Sequence, residues 1–188
     1  MSSPHSRRAV FLDRDGVINV DVAYCGRIED FHLIPGVLEA AAAYARAGYL
    51  LVVVTNQSGI GRGYYTEDDF RQLSEAMKKQ FAAAGAPIAG VYFCPHHPEA
   101  ALKRYRTVCD CRKPAPGLIL TACRELRIDP ARSILFGDKP SDMKAALSAG
   151  VGVRVLLGTD GAAMPEPVAE ATAVSQSLAT AVMSKIGL

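Results

Sequence analysis

AVFLDRDGVIN, residues 9–19, starts as an apolar run and ends in two carboxylates, Asp13 and Asp15, followed by Gly16. A short apolar run without polar alternation reads as a strand buried on both faces, the pattern of a parallel sheet covered by helices. Four more runs share it: LLVVVT (50–55), GVYFC (90–94), SILFGD (133–138) and GVRVLL (152–157). Helical spacing fills the gaps. Over 35–47, Val37, Leu38, Ala41, Tyr44 and Ala45 recur at helical intervals, and Gly48 stands where a C-terminal cap belongs. A second helix starts at Thr66, with Glu67, Asp68 and Asp69 in the turn where the helix dipole favours acids, and Phe70, Leu73, Met77 and Phe81 as its apolar stripe. Two more are predicted, over 116–127 from Pro116 and up to Gly150 from a Ser141 cap. The tail from Gly158 ends in a weak helical pattern (Val174, Leu178, Val182) expected to pack on the outside. This alternation predicts a doubly wound α/β fold with a parallel sheet, and 188 residues suit a single domain spanning 1–188.

Apolar residues make up 49% and charged residues 21%, ordinary values for a globular protein, and a formal charge of +2 argues against a nucleic-acid footprint. No apolar run approaches the ~20 residues that cross a bilayer. MSSPHSRRAV has no apolar segment of signal-peptide length, so a cytoplasmic location is expected. There thiols stay reduced, and five cysteines are an odd number for a disulfide framework. Cys123 shares a helix face with Ile119, Ala122 and Leu126 and reads as core.

Ligands of such sheets bind beyond the carboxyl ends of the strands. Those ends carry Asp13-Arg14-Asp15-Gly16, Thr55-Asn56-Gln57-Ser58-Gly59 and Gly137-Asp138-Lys139, while Arg112-Lys113-Pro114 adds two cations ahead of a helix. Taken singly these are a solvated turn, a strand-end cap, an N-cap and a surface lysine. Together on one rim they are an oxygen-rich site for a hard cation beside anion-binding groups, the inventory of phosphoryl transfer.

FLDRDGVIN, VVVTNQSGIGRG, CDCRKP and FGDKPSDM, in that order, resemble the four motifs of the haloacid dehalogenase-like (HAD-like) phosphatases over roughly residues 9–157. The resemblance implies that Asp13 is the nucleophile, forming an aspartyl-phosphate, and that Asp15 is the general acid and then the base for water. It implies Mg²⁺ held by the side chain of Asp13, the backbone carbonyl of Asp15 and Asp138, with Thr55 and Lys113 on the phosphoryl oxygens. For Asp142 the balance favours an exposed residue in a helix's first turn over a supporting acid. The short interval from Asp15 to Pro35 leaves no room for a large cap domain.

CPHHPEAALKRYRTVCDCRKP, residues 94–114, gathers Cys94-x-His96 and Cys109-x-Cys111, the inventory of a closed Cys₃His zinc site. A Cys109–Cys111 redox pair is the alternative, and His97 competes with His96 as ligand. A structural zinc would order the polar loop 94–111 and fix Arg112 and Lys113 behind it. Within the superfamily this loop and NQSGIGRG are most similar to the branch that removes the 7-phosphate of D-glycero-D-manno-heptose 1,7-bisphosphate for nucleotide-activated heptose and lipopolysaccharide biosynthesis. That similarity implies substrate contacts from Asp21, Val22, Ala23 and Tyr24, from Thr55, Asn56, Gln57 and Ser58, and from Arg112, Lys113 and Lys139. Cys25, Gly26 and Gly63-Tyr64-Tyr65 lie near the expected sugar pocket without matching a family pattern. The alternatives are a histidinol-phosphate phosphatase and, from another class, a polynucleotide 3′-phosphatase or zinc nucleic-acid module. Lys103, Arg104, Arg106, Arg112 and Arg62 favour the doubly anionic substrate. The expected partner is a small sugar bisphosphate, with no nucleic acid and no membrane, and the chain is expected to be a monomer.

Overall fold

The structure is a computed structural model and describes residues 6–161 and 163–187. The opening residues 1–5, on which the expectation of no leader partly rests, lie outside it. Six parallel strands form one sheet in the order β3-β2-β1-β4-β5-β6: β1 (Ala9–Leu12), β2 (Leu50–Asn56), β3 (Ile88–Cys94), β4 (Ile134–Gly137), β5 (Val153–Leu157) and β6 (Ala173–Ser175). Helices α1 (Val37–Arg46), α2 (Ser58–Arg62), α3 (Glu67–Ala83), α4 (Gly117–Leu126), α5 (Pro140–Ser148) and α6 (Leu178–Met183) complete it.

Successive strand residues face opposite sides, so each strand feeds two cores. Val10, Leu12, Leu51, Val53 and Phe136 pack with Tyr44 of α1, Leu73, Met77 and Phe81 of α3, and Leu178 of α6. Ala9, Phe11, Val52, Val54 and Leu135 pack on the other side with Leu118, Ile119 and Ala122 of α4 and Met143 and Ala146 of α5. Double coverage explains the unbroken apolar strands, and their parallel direction puts every strand's C-terminal end on one rim.

The boundaries depart from expectation where the chain ends or the sheet does. The tail supplies a sixth strand, with Val174 paired to Leu156 of β5 and not in a helix, and α6 then returns over α1. Tyr44 and Tyr49 donate to the carbonyls of Ile186 and Gly187 at 2.8 and 2.7 Å and secure it. β3 is one of the two edge strands, so Gly90 to Phe93 are only half-buried. Thr66 caps α3 as expected, accepting from the Asp69 amide at 3.1 Å while Asp69 accepts from the Thr66 amide at 2.8 Å. α5 starts earlier than expected. Pro140 opens it, and Asp142, not Ser141, caps it by accepting from the Lys139 amide at 3.0 Å.

Between Gly16 and Pro35 the chain makes isolated bridges and one 3₁₀ turn, so no large cap domain is inserted there. Among the described residues no helix is long and apolar enough to cross a membrane.

Candidate active site at the strand ends

Asp13 leaves β1 nine-tenths buried, with its Oδ1 accepting from the Arg14 amide at 2.7 Å. Its Oδ2 lies 3.0 Å from the Nζ of Lys113, which is also 2.6 Å from Asp142 Oδ1 and donates to the Val54 carbonyl at 2.9 Å. The ammonium is thus fully partnered in a dry place. Burial works against its charge, but Asp13 and Asp142 outweigh burial and hold Lys113 above its ordinary value. Burial raises Asp13 in turn, only partly offset by Lys113.

Asp142 corrects the expectation of an exposed helix residue. Its α5 start is pressed against β4, it is 1% exposed, and a Cβ on Gly137 would stand 2.3 Å from its own Cβ. Only glycine at 137 lets that helix come so close.

Asp138, at the end of β4, has both carboxylate oxygens buried without a hydrogen-bond partner. Burial first and Asp13 second push it up to about 7. Gly16, in the left-handed region at φ 82°, sits against it, since a Cβ there would meet Asp138 Oδ2 at 2.4 Å. Oxygens of Asp13, Asp138 and Asp142 all lie within 4.8 Å of one another. An unsatisfied buried carboxylate among other oxygens fits a hard divalent cation such as Mg²⁺, which would restore the charged form.

Asp15 is held by four side-chain donors. Arg14 reaches it through Nε and Nη2 at 3.2 and 2.9 Å, Asn19 Nδ2 at 3.0 Å and Gln57 Nε2 at 3.0 Å. Gln57 also donates to Thr55 Oγ1 at 2.8 Å and accepts from Tyr65 Oη at 2.5 Å. Arg14 is fully buried, donates to the Cys25 carbonyl at 2.7 Å, and lies 5.6 Å from the Phe70 ring centroid. The sequence reading missed Arg14 and Asn19. The residue between two catalytic-type acids reads as surface until the fold shows it turning inward.

Beside these groups opens a cavity of about 550 Å³, lined by Asp15, Asp21, Ala23, Tyr24, Asn56, Gln57 and Ser58 together with the cations Arg112, Lys113 and Lys139. Asn56 also exchanges two hydrogen bonds with the Lys113 backbone at 3.0 and 3.1 Å, fixing where that lysine enters. Val22 departs from expectation: it is exposed and does not line the cavity. It is carried outward because Ala23 and Tyr24 both adopt left-handed φ, 53° and 67°. Such strain, about 1–3 kcal/mol per residue, persists where contacts hold it. Asp160 accepts from the Asp21 amide at 2.9 Å, Asp21 accepts from the Ala23 amide at 3.0 Å, and Lys139 Nζ lies 3.2 Å from Asp21. Asp160 had no signal in sequence, 139 residues away from its partner.

The Cys/His loop closes on itself. Sγ atoms of Cys94, Cys109 and Cys111 stand 3.1 to 3.5 Å apart, and His96 Nδ1 is 3.5 Å from Cys111 and 3.8 Å from Cys94. No disulfide forms among the five described cysteines. The spacing resembles the edges of about 3.8 Å expected of a tetrahedron with zinc bonds of ~2.3 Å, so the residues fit zinc. His96 joins the cluster and His97 does not. Burial pushes the Cys111 thiol up to about 11, and a bound cation would reverse this. Of the loop cations only Arg112 faces the cavity. Arg106 Nε donates to the Ala100 carbonyl at 2.7 Å, and Arg104 lies over the Tyr105 ring at 4.8 Å, so neither serves as a cavity cation.

A HAD-hydrolase-like family model matches residues 110–181. The chain is 49% identical to D-glycero-beta-D-manno-heptose-1,7-bisphosphate 7-phosphatase of Vibrio cholerae, over 96% of this chain and 93% of that protein. It is 55% identical to the D-glycero-alpha-D-manno counterpart of Burkholderia mallei, over 80% of this chain and 79% of that one. Among solved structures, D,D-heptose 1,7-bisphosphate phosphatase of B. bronchiseptica, complexed with magnesium and phosphate, superposes with a TM-score of 0.79 at 29% identity, over 95% of this chain and 98% of that one. With such identity over nearly its whole length, this chain is a phosphatase of the HAD-like superfamily and belongs to the heptose-1,7-bisphosphate 7-phosphatase family.

Proposed function

We propose that the chain removes the 7-phosphate of D-glycero-D-manno-heptose 1,7-bisphosphate, with Asp13 as nucleophile. The observation that carries this reading is the buried trio at one rim: Asp13 with Lys113 at 3.0 Å, and Asp138 with neither oxygen hydrogen-bonded. Asp13, Asp138 and the backbone carbonyl of Asp15 would hold Mg²⁺, which supplies positive charge to the phosphoryl oxygens when bound. A carboxylate oxygen of Asp13 attacks phosphorus, forming the acyl-phosphate bond as the bond to the sugar oxygen breaks. Asp15 gives its proton to that departing oxygen. The same carboxylate then takes a proton from water, whose oxygen attacks phosphorus and releases Asp13 with inorganic phosphate. Lys113 and Thr55 bind phosphoryl oxygens throughout, and the low dielectric around Lys113 strengthens its contribution.

Arg14, Asn19 and Gln57 keep Asp15 aimed at the cavity, in which Asp21, Tyr24, Ser58 and Lys139 contact the substrate and Arg112 meets the sugar or its remote phosphate. Residues 1–188 act as one unit with a zinc-held loop at 94–111. The reading includes a monomer working in the cytoplasm on a small molecule, with no nucleic acid or membrane partner. Five free cysteines suit that compartment.

Phosphate release with Mg²⁺, measured on both anomers of heptose 1,7-bisphosphate, histidinol phosphate and a 3′-phosphorylated oligonucleotide, tests the substrate. One heptose anomer is expected to lead histidinol phosphate by more than about 10²-fold in kcat/KM. A win for histidinol phosphate would keep the chemistry and reject the substrate.

Cys94, His96, Cys109 and Cys111 hold structural zinc in this reading. Cys109→Ser is expected to lower bound zinc well below one per chain and to drop Tm by more than about 5 °C, with Mg²⁺ affinity within about twofold. Full zinc content in an inactive Cys109→Ser protein would make the centre catalytic and reject the structural assignment.

A further inference from the structure

Arg62 ends α2 beside the zinc loop, outside the lining of the catalytic cavity. Its Nη2 stands 3.4 Å from His97 Nε2. The neighbour of His97 decides what that contact is. The Glu99 amide donates to His97 Nδ1 at 3.1 Å, so Nδ1 carries no proton and Nε2 carries the one of the neutral ring. Nε2–H and the guanidinium are therefore both donors, and two donors facing each other are not a hydrogen bond. Arg62 Nε is buried with no partner as well, and among the described residues no carboxylate pairs with Arg62. The unpaired, buried Nε costs about 1–3 kcal/mol, and with the half-buried Nη2 and Nε2–H it makes a set of unmatched donors that one shared acceptor would satisfy.

The place matches the need. The Arg62 guanidinium lies 5.8 Å from the centroid of the Tyr24 ring, which lines the catalytic cavity, and Arg112, also lining it, donates to the carbonyl of His96 next to His97 at 3.2 Å. Arg62, beside the Tyr24 ring, and His97, next in sequence to the residue whose carbonyl holds Arg112, thus border the cavity lining at Tyr24 and Arg112.

We propose that Arg62 and His97 form a phosphate-type oxyanion subsite at this edge, which receives the second, unreacting phosphate of the substrate. This rests on the sugar-bisphosphate reading above. Inorganic phosphate could enter the same donors as a free ion, so the test separates the two sources.

Full-length wild type and Arg62→Gln are compared on heptose 1,7-bisphosphate and on heptose 7-phosphate, which lacks the distal group, and inorganic phosphate binding is titrated separately. Loss of one such charged contact is expected to reduce the bisphosphate-over-monophosphate ratio of kcat/KM about tenfold, mainly through KM for the bisphosphate. Arg62→Lys should recover part of it. An unchanged ratio together with loss of a second inorganic-phosphate binding event supports the oxyanion site and rejects the substrate's phosphate as its occupant. Equal falls on both substrates make Arg62 a mere support for Tyr24 and overturn the proposal, as does no change in either assay. If Arg62→Gln does not fold, His97→Ala is carried through the same comparison. Should the wild type turn over neither heptose ester, the substrate reading fails, while the phosphate titration still decides on the donor pair.

Discussion

Asp13→Asn is expected to reduce phosphate release by more than about 10³-fold while the protein still folds, because the amide retains shape but cannot form the acyl-phosphate. The Arg14 amide at 2.7 Å finds an amide oxygen as it found the carboxylate. Lys113 keeps Asp142 at 2.6 Å and the Val54 carbonyl, so the substitution leaves no buried charge without a partner. One negative charge also leaves a cluster in which Asp13, Asp138 and Asp142 have oxygens within 4.8 Å. Stability should therefore fall only modestly, by about 1–3 kcal/mol in calorimetry, because the amide NH2 that replaces Oδ2 faces the Lys113 ammonium at 3.0 Å. Acid-quenched protein mixed with ³²P-labelled substrate should carry label in wild type and none in the variant. A residual rate above about 1% of wild type would reject Asp13 as nucleophile.

Lys113→Met is expected to damage both fold and chemistry. It removes the one buried cation between Asp13 and Asp142, which are 7% and 1% exposed. Breaking a buried pair from one side costs about 3–5 kcal/mol, roughly 10 °C in Tm for a chain of this size. Turnover should fall by about 10²–10³-fold, the usual loss when a charge aimed at the transition state is removed. The pH dependence gives an independent check in the presence of EDTA. Burial already holds Asp13 above its unfolded value and Lys113 only partly offsets it, so without Lys113 that carboxyl is raised further and binds more proton folded than unfolded. Stability of the variant then falls as pH rises, so its deficit against wild type should be smaller at pH 5 than at pH 8. A deficit that does not vary over that range, or a Tm within about 2 °C of wild type, would mean that the Asp13 and Asp142 carboxylates do not depend on this cation.

Much of the site could be read before the fold was known, for a physical reason. Asp13, Thr55 and Asp138 follow directly on apolar runs, so the same local pattern that specifies each strand places them at its end, and a parallel sheet brings those ends together. The zinc-type loop was readable because CxH and CxC spacing is itself the ligand set. Side-chain direction was not readable in the same way. Arg104 and Arg106 looked equivalent to Arg112 in a list of charges, yet the loop turns them onto Tyr105 and the Ala100 carbonyl.

The order of apolar runs and turn residues in the sequence determined a doubly wound parallel sheet and the rim on which the acids, the threonine and the lysine meet. Only the tertiary structure decided that Asp142 is buried against Lys113, that Arg14 turns inward to hold Asp15, that Val22 faces out, and that the tail adds a sixth strand. Strand and turn preferences act between neighbours in sequence, whereas each of those outcomes depends on a partner far along the chain. The Asp160 carboxylate under the Asp21 amide is the extreme case, a contact across 139 residues that exists only because β5 ends beside the loop that follows β1.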